Sequence, residues 1–281
     1  MKVLPFKIPK PEPDAFVFQI DNDITFFDKL HQHEEIQISF IVEGEGTLIV
    51  GDRVNYYKKD DIIVLGSNIP HVFKSDLNTS TNSKMLSLFF TQISFGKSFF
   101  ELEELKEIQT FFKRSKQGFK LTSKNKLAKK LFLDLEKSTK LEKLLILLQL
   151  LKIGSKCNYK NLSSYIYDKK YSDNEGYRIR NVFEYTMNNF EKEISLQTIA
   201  GIANMTKNAF CKYFKKRTNK TYIQFLTELR IENACNLLIK NKEISIAEVA
   251  EHCGYNNISN FNRQFQIYKK ESPSKYRKMN I

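Results

Sequence analysis

The fold of the C-terminal part of this chain is decided by the stretch Ile244-Ser-Ile-Ala-Glu-Val-Ala-Glu-His-Cys-Gly-Tyr-Asn-Asn-Ile-Ser-Asn-Phe-Asn-Arg-Gln-Phe265. Apolar residues at helical spacing come first and predict a short helix. Gly254 follows them and suits a turn with a positive φ. Asn257 or Ser259 is then placed to cap a second helix, whose two phenylalanines would face inward. The stretch therefore predicts a helix, a tight turn and a second helix.

The chain contains this pattern twice. Ile194-Ser-Leu-Gln-Thr-Ile-Ala200 resembles Ile244-Ser-Ile-Ala-Glu-Val-Ala250 at an offset of 50 residues. Phe210-x-x-x-Phe214 resembles Phe261-x-x-x-Phe265 at an offset of 51 residues, so the slip of one residue falls in the turn. A repeat this detailed predicts two copies of one small helical unit.

The outer face of the second helix in each copy is polar and basic. The second copy offers Ser259, Asn262, Arg263, Lys269 and Lys270. The first copy offers Thr206 as the cap, then Lys207, Asn208, Cys211 and Lys212, and then the basic cluster Lys215, Lys216 and Arg217. Polar groups suit base edges and cations suit phosphates, on a helix sized for a major groove. A helical bundle with a solvated lysine face is the competing interpretation, and two copies in register weaken it.

Charge is unevenly distributed along the chain, which has a net charge of +13. Residues 1–96 hold 9 basic and 13 acidic side chains, residues 97–175 hold 18 and 10, and residues 176–281 hold 18 and 9. An acidic N-terminal part followed by a basic C-terminal part indicates one domain that avoids polyanions and one that binds them.

Several protein classes are not expected from this sequence. It has no charge-free apolar run of 18 residues, and Met1 to Pro13 lack the apolar core of a signal peptide, so we expect neither a membrane span nor secretion. The four cysteines are far apart and form no C-x-x-C motif, which favours reduced thiols over disulfides or a zinc site. These features predict a cytoplasmic protein.

The N-terminal part of the sequence has the composition and spacing of β-strands. Segments such as Ile36-Gln-Ile-Ser-Phe-Ile-Val42 are rich in β-branched and aromatic residues and are broken by turn signals such as Glu43-Gly-Glu-Gly46. Short strands at this spacing predict a small β-barrel or sandwich over residues 1–96. The apolar side chains expected in its core include Phe27, Phe40, Val64, Phe73 and Phe89.

From Lys97 the apolar period becomes helical, and residues 97–153 are predicted to be a helical segment. Its leucine-rich part, 123–153, is interrupted at Ser138-Thr139, and it would pack on the barrel, pair two chains in a dimer, or do both. Residues 154–175 are polar and aperiodic, and we interpret them as a linker. The helical repeat occupies 176–281. The predicted fold class is α+β, with a β-barrel, a helical segment and an all-α domain of two helix-turn-helix units.

Residues 176–278 resemble the AraC/XylS family of bacterial transcription regulators. The second copy carries the family's motif, Ser272-Pro-Ser-Lys-Tyr-Arg277 follows it, and Arg230-x-x-x-Ala234-x-x-Leu237-Leu238 matches the connecting helix. The resemblance implies that two helix-turn-helix units, joined by one long helix, enter successive major grooves of DNA. It implies base readout by Asn208, Cys211 and Lys212 in the first unit and by Ser259, Asn262 and Arg263 in the second.

Three positions depart from that family. Glu271 stands where glycine is common before the Ser-Pro motif, and Asn219 stands at the equivalent place in the first copy. Lys212 stands where arginine is common, and lysine lacks the planar fork that pairs with guanine. The base specificity of the first copy is therefore less defined.

His31-x-His33-x-x-x-Gln37 and Gly66-x-x-x-Pro70-His71 resemble the two short motifs of cupin barrels, which AraC-type regulators often carry as sensors. In metal cupins, three histidines and a carboxylate converge. Here Gln37 replaces the glutamate, which lowers the expected affinity for a divalent ion. Three interpretations stay open: the histidines bind a metal, contact a small effector together with Gln37, or have a structural role.

The sequence thus predicts a DNA-binding transcription regulator, not an enzyme, with no required cofactor. Its expected partners are double-stranded DNA, a small-molecule effector, a second copy of the chain and, if it is an activator, RNA polymerase; no membrane partner is expected. The alternative is a metal-dependent cupin enzyme using His31, His33 and His71, against which stand Gln37 and the lack of a carboxylate pair for acid–base catalysis. The effector, the operator and the choice between activation and repression stay open.

Overall fold

The structure is a computed structural model that describes residues 14–77, 82–122, 125–167 and 173–280. These residues form two compact units, and the chain passes from the first to the second at Asp173–Asn174. Met1 to Pro13, where no signal peptide is predicted, and residues 168–172 of the predicted linker lie outside the described residues. Within the described ranges, no helix has the length and apolar character needed to cross a membrane.

The N-terminal unit is built on nine strands among the described residues. They are β1 Val17–Asp23, β2 Ile36–Glu43, β3 Gly46–Val50, β4 Arg53–Tyr57, β5 Ile62–Leu65, β6 His71–Ser75, β7 Ser83–Phe90, β8 Phe119–Leu121 and β9 Tyr159–Asn161. One sheet has the order β1-β7-β2-β5-β8-β9 and the other β4-β3-β6. The predicted α+β class is confirmed, and the strands form two sheets in a sandwich rather than one ring.

Strand β2 shows how the larger sheet is buried on both faces. Ile38 and Phe40 belong to the core that the sheet shares with the following helices. Ile41 belongs to the core between the two sheets. Because side chains alternate along a strand, Gln37 and Ser39 point to the same interior as Ile41. The interior of the sandwich therefore has a polar end as well as an apolar one.

Four of the five predicted core side chains, Phe40, Val64, Phe73 and Phe89, are buried. The prediction for Phe27 is wrong, because this side chain is 46% exposed. It lies between β1 and β2, and its ring packs edge-on against His31 with centroids 4.9 Å apart.

The helical segment contains α1 Gln109–Ser115, α2 Lys126–Asp134 and α3 Lys140–Lys156, preceded by short 3-10 helices at Phe99–Glu101 and Glu103–Ile108. The predicted break before α3 is present, because Thr139 and Glu142 form a capping box at its start. One face of α2 and α3 packs on the larger sheet, with Phe132 and Leu147 fully buried. Packing on the barrel, one of the two roles foreseen for this segment, is therefore present.

Two parts of this region differ from the sequence prediction. Strand β8 interrupts the helical segment and pairs with β5. Residues 154–167, assigned to the linker, include the end of α3 and strand β9, which pairs with β8. Leu162 and Tyr167 are buried in the sandwich core. Strand pairing and burial place these residues in the N-terminal unit. Both involve residues that are far apart in the sequence, which local periodicity does not show.

The C-terminal unit is helical. Its helices are α4 Asp173–Asn189, α5 Leu196–Ile202, α6 Lys207–Thr218, α7 Tyr222–Lys240, α8 Ile246–His252, α9 Ile258–Lys269 and α10 Pro273–Asn280. Helices α5 and α6 form the first helix-turn-helix unit, α8 and α9 form the second, and α7 joins them. We call α6 and α9 the recognition helices.

The two turns have the same hydrogen bonding. Met205 donates its N–H to the carbonyl of Ala200, and Tyr255 donates to Ala250, both at 2.9 Å. After this bond the second copy has one more residue, Asn256, before its helix cap. The structure thus confirms the repeat and places the one-residue slip in the turn.

Candidate nucleic-acid interface and histidine site

Recognition helix α9 has a buried face and an exposed polar face. Phe261 and Phe265 are fully buried. Ser259, Asn262 and Arg263 are exposed, and their three- and four-residue spacing places them next to one another on the helix surface. Three of the side chains predicted to contact DNA in the second unit therefore share one free face.

Side-chain hydrogen bonds order the first turns of α9. The Asn257 Oδ1 accepts the backbone N–H of Ser259 at 2.8 Å and of Asn260 at 3.1 Å. The Arg263 guanidinium donates to the Asn260 Oδ1 at 2.9 Å. Asn260 is absent from the predicted site, although its three-residue spacing from Arg263 could have indicated it. This bond orients the fork of Arg263, the group whose shape matches guanine.

Recognition helix α6 has the same arrangement. Thr206 caps it by accepting the N–H of Ala209 at 3.4 Å. Phe210 and Phe214 are fully buried on its inner face. Exposed along the helix are Lys207, Asn208, Lys212, Lys215 and Lys216, and Cys211 is half-buried among them. The first unit thus offers more cations and fewer groups with two aligned hydrogen-bonding atoms than the second.

Two predicted DNA-contacting cations lie apart from these faces. Lys269 donates two hydrogen bonds of 2.7 Å to the Glu232 carboxylate of α7, and its side chain is only 18% exposed. Arg217 is half-buried, with its guanidinium 5.8 Å from the centre of the Tyr213 ring. Both side chains are engaged with neighbouring side chains and are less exposed than the other lysines of α6 and Arg263 of α9.

The prediction that Glu271 stands at the family's glycine position is wrong. The residue with left-handed backbone after α9 is Lys270, with φ +62°, not Glu271. Asn219 has φ +55° after α6, which is the equivalent place. Glycine favours this conformation because it has no Cβ. The position that departs in the second copy is therefore Lys270, which is exposed.

The three N-terminal histidines converge. The ring centroids of His31 and His71 are 4.2 Å apart, and those of His33 and His71 are 5.0 Å apart. His31 and His71 also exchange backbone hydrogen bonds of 3.1 and 2.9 Å, which brings the strand-free segment before β2 onto the start of β6. His71 is 1% exposed, His33 is buried and His31 is half-buried.

Each ring is oriented by the backbone. The Nδ1 atom of each histidine lies 2.7–2.9 Å from the carbonyl oxygen of a residue two positions away. Because a carbonyl oxygen only accepts hydrogen bonds, Nδ1 carries the proton in the neutral rings and Nε2 keeps a lone pair. Among the described atoms, the buried Nε2 of His71 has no hydrogen-bond partner. Burial lowers the pKa of His33, and burial with the neighbouring His31 and His33 lowers the pKa of His71 well below its usual range.

Gln37 joins this cluster to two serines. Its Oε1 lies 3.2 Å from the Nε2 of His33, and its Nε2 donates to the Ser39 Oγ at 2.8 Å. Ser39 and Ser87 share a further hydrogen bond of 2.8 Å. With a lone pair on the His33 Nε2, two acceptors face each other. A reversed Gln37 amide or a cation between the two atoms removes that conflict.

The donor set fits a divalent transition metal. One ring nitrogen of each of His31, His33 and His71 lies within 4.8 Å of the others. Metal-bound histidines ordinarily donate the second ring N–H to a carbonyl or carboxylate, as these do. Imidazole nitrogens suit zinc, iron, copper or nickel. Ser39 and Ser87, which brace Gln37, are a part of the site that the sequence motifs did not indicate.

Comparison with known proteins agrees with both halves of this architecture. Residues 199–279 match the helix-turn-helix domain family, and residues 26–89 match the cupin domain family. The uncharacterized HTH-type transcriptional regulator YdeC of Bacillus subtilis is 23% identical over 93% of this chain and 90% of its own length. The Msm operon regulatory protein of Streptococcus mutans is 24% identical over 86% and 83%.

Among solved structures, ToxT of Vibrio cholerae is 15% identical, with a TM-score of 0.39, over 95% of this chain and 99% of its own. The chain is an AraC-type DNA-binding transcriptional regulator, with a cupin domain followed by two helix-turn-helix units.

Proposed function

We propose that this regulator changes its DNA binding when a ligand occupies the histidine site of the cupin domain, and that the ligand is a divalent transition metal ion. The observation that supports this most directly is the buried, unpartnered Nε2 of His71 beside two further histidine rings. A buried polar atom without a partner destabilises a fold by about 1–3 kcal/mol, so its presence favours a ligand that removes the penalty.

The spacing within the cluster favours an ion over a larger organic effector. The three ring centroids are only 4.2–5.9 Å apart, and Phe27 and Phe89 pack edge-on against His31 and His33. An ion fits among rings at this distance. An organic effector would touch the cluster from one side, which is the second possibility that the sequence left open.

A metal titration of the full-length protein tests this. Protein stripped with a chelator is titrated with Zn²⁺, Mn²⁺, Fe²⁺ or Ni²⁺ in a calorimeter, alongside the variants His71→Gln and His252→Gln. His252 is the remaining histidine and lies exposed on α8, so it is the matched control. We expect one ion per chain, retained in the control and lost in His71→Gln. DNA affinity is then measured with and without the ion. Absence of binding by all four ions would contradict the proposal.

The proposed DNA contacts are the exposed residues of the two recognition helices. They are Thr206, Lys207, Asn208 and Lys212 at the start of α6, together with the half-buried Cys211; Lys215 and Lys216 at its end; and Ser259, Asn262, Arg263 and Lys270 on or after α9. A protein that uses such cations must bind DNA less tightly as salt rises, since phosphate contacts release counterions. A binding titration at two salt concentrations measures this.

Further parts of the proposed function follow from the same architecture. We propose that the protein is not an enzyme, since its full-length relatives are regulators and the histidine site has no carboxylate pair for acid–base chemistry. We propose that it acts in the cytoplasm, where bacterial DNA is, and as a homodimer. Leu141 and Leu145 of α3 are exposed and support the dimer. RNA polymerase would be a partner if the regulator activates.

A further inference from the structure

Arg230, near the middle of α7, connects the two helix-turn-helix units. Its Nε donates to the carbonyl oxygen of Phe190 at 2.8 Å, and its Nη2 donates to the carbonyl oxygen of Lys192 at 2.8 Å. Both carbonyls belong to the loop between α4 and α5, at the entrance of the first unit. The same guanidinium lies 5.6 Å from the centre of the Tyr255 ring, in the turn of the second unit. One side chain therefore bridges the loop that leads into the first helix-turn-helix unit and the turn of the second.

The turn of the second unit also touches that loop directly. A Cβ atom at Gly254 would lie 2.7 Å from the carbonyl oxygens of Phe190 and Glu191 and 2.9 Å from the Nη2 of Arg230. These distances are too short for any side chain, so the two backbones approach as closely as glycine allows. The contact between the units, which we call the Arg230 joint, consists of this approach and the guanidinium bonds.

Each recognition helix is fixed to α7 on its own side of the joint. In the second unit, Lys269 at the end of α9 is bonded to Glu232 of α7. In the first unit, the Phe214 ring of α6 packs on Phe225 of α7 with centroids 5.8 Å apart. Because both recognition helices are held to α7, a bend of α7 at the joint would move one recognition helix relative to the other.

We propose that Arg230 sets the distance and angle between the two recognition helices, and so restricts the protein to DNA in which the two half-sites have one separation. One added base pair shifts a half-site by about 3.4 Å and rotates it by about 35° around the DNA axis. Helix-turn-helix units held together by the Arg230 joint cannot move to match the displaced half-site. Units connected by α7 alone could match it, because α7 could bend. Arg230 is a positioning residue, since it touches the loop and the turn rather than DNA. The proposal rests on both units binding DNA.

The spacing preference of the full-length protein is the test. Wild-type protein first selects DNA from a pool of random sequence, and the enriched sequence is resynthesised with its central spacer one base pair longer or shorter. We expect wild type to lose about tenfold or more in affinity on either change, the scale of a mismatched base pair. Arg230→Met keeps the aliphatic stem but not the donors. We expect it to read the same half-sites and to lose about threefold or less on the same spacer changes.

Arg277→Met is the matched control. Arg277 also donates to two backbone carbonyls, those of Ile244 at 2.7 Å and Lys242 at 3.5 Å, but it bonds only within the second half of the domain. We expect it to keep the wild-type spacing preference. Arg230→Lys, which keeps the charge but not the fork, replaces Arg230→Met if thermal unfolding shows that the latter does not fold.

Three results would overturn the proposal: a wild-type spacing preference in the folded Arg230 variant, equal broadening in Arg277→Met, or no preference in wild type. Selected DNA with a single half-site would instead show that two-unit binding itself is absent.

Discussion

Asn204 and Gly254 occupy the same place in the two helix-turn-helix units, and both have a left-handed backbone, with φ +52° and +77°. Asparagine tolerates this conformation better than most residues with a side chain, and glycine adopts it without strain. The two positions nevertheless differ in their surroundings. Gly254 lies against the backbone of the α4–α5 loop, so only the second turn excludes a side chain for lack of space.

Gly254→Ala should therefore destabilise the DNA-binding domain. The alanine would carry left-handed strain of about 1–2 kcal/mol, and its Cβ would press on two carbonyl oxygens at 2.7 Å. We expect a total loss of about 2 kcal/mol or more in the free energy of unfolding, measured by chemical denaturation. Gly201→Ala is the control, because it lies within α5 with no atom within 4 Å of the added Cβ. It should stabilise the protein by about 0.5–1 kcal/mol, and equal losses in the two variants would refute this account.

Lys270→Gly should raise the free energy of unfolding and at the same time lower the salt dependence of DNA binding. Replacing a lysine at φ +62° with glycine relieves left-handed strain, and we expect a gain of about 0.5–1 kcal/mol in unfolding free energy. The same change removes one exposed cation, so the salt dependence of DNA binding should fall by about one phosphate contact. Asn219→Gly at the equivalent place should give a smaller gain, since asparagine is already tolerated. A destabilised Lys270→Gly variant would contradict this explanation.

Local patterns in the sequence were sufficient for the helices of the DNA-binding domain, because caps, turns and apolar spacing are features of neighbouring residues. They were not sufficient where distant residues decide the structure. Strand β8 has three residues, too few to show a period, and its pairing with β5 defines it. The bond from Lys269 to Glu232 spans 37 residues, so the sequence could not show that this lysine is engaged. The two cupin motifs indicate the histidines, whereas the serines behind Gln37 are brought together by the pairing of β2 with β7, which the motifs do not show.

The pH dependence of stability should report the buried histidines. In the metal-free protein, burial lowers the pKa of His71 and His33, so the folded state holds them neutral while unfolded histidine titrates near its ordinary pKa of about 6.5. The unfolded state then binds more protons below that pH, and stability is lost as pH falls through it. We expect thermal unfolding of the chelator-treated protein to occur at lower temperature at pH 5.5 than at pH 7.5. His71→Gln should weaken this dependence and His252→Gln should not; the same pH dependence in both would exclude a role for His71.

Dimerisation should depend on the exposed face of α3. Leu141 and Leu145 are exposed and four residues apart, so they form one apolar surface on the helix. We expect Leu141→Glu combined with Leu145→Glu to convert a dimer to a monomer in analytical ultracentrifugation, with little change in unfolding temperature. Leu102→Glu is the control, since Leu102 is exposed outside α2 and α3. A dimer that persists in the double variant would place the interface elsewhere.

Arg263 should contribute specificity, and Lys216 only affinity. The Arg263 guanidinium is exposed on α9 and oriented by Asn260, so we assign it to a base edge. Arg263→Ala should weaken binding to the selected DNA by about 1–3 kcal/mol and relax the preference at one position. Lys216 lies exposed at the end of α6 and would contact phosphate, so Lys216→Ala should weaken binding about equally on selected and random DNA. Asn260→Ala removes the hydrogen bond that orients Arg263 but no direct DNA contact. Its loss of preference for the selected DNA should lie between the losses of Arg263→Ala and Lys216→Ala. Equal losses on both DNAs in Arg263→Ala would show that this residue does not read bases.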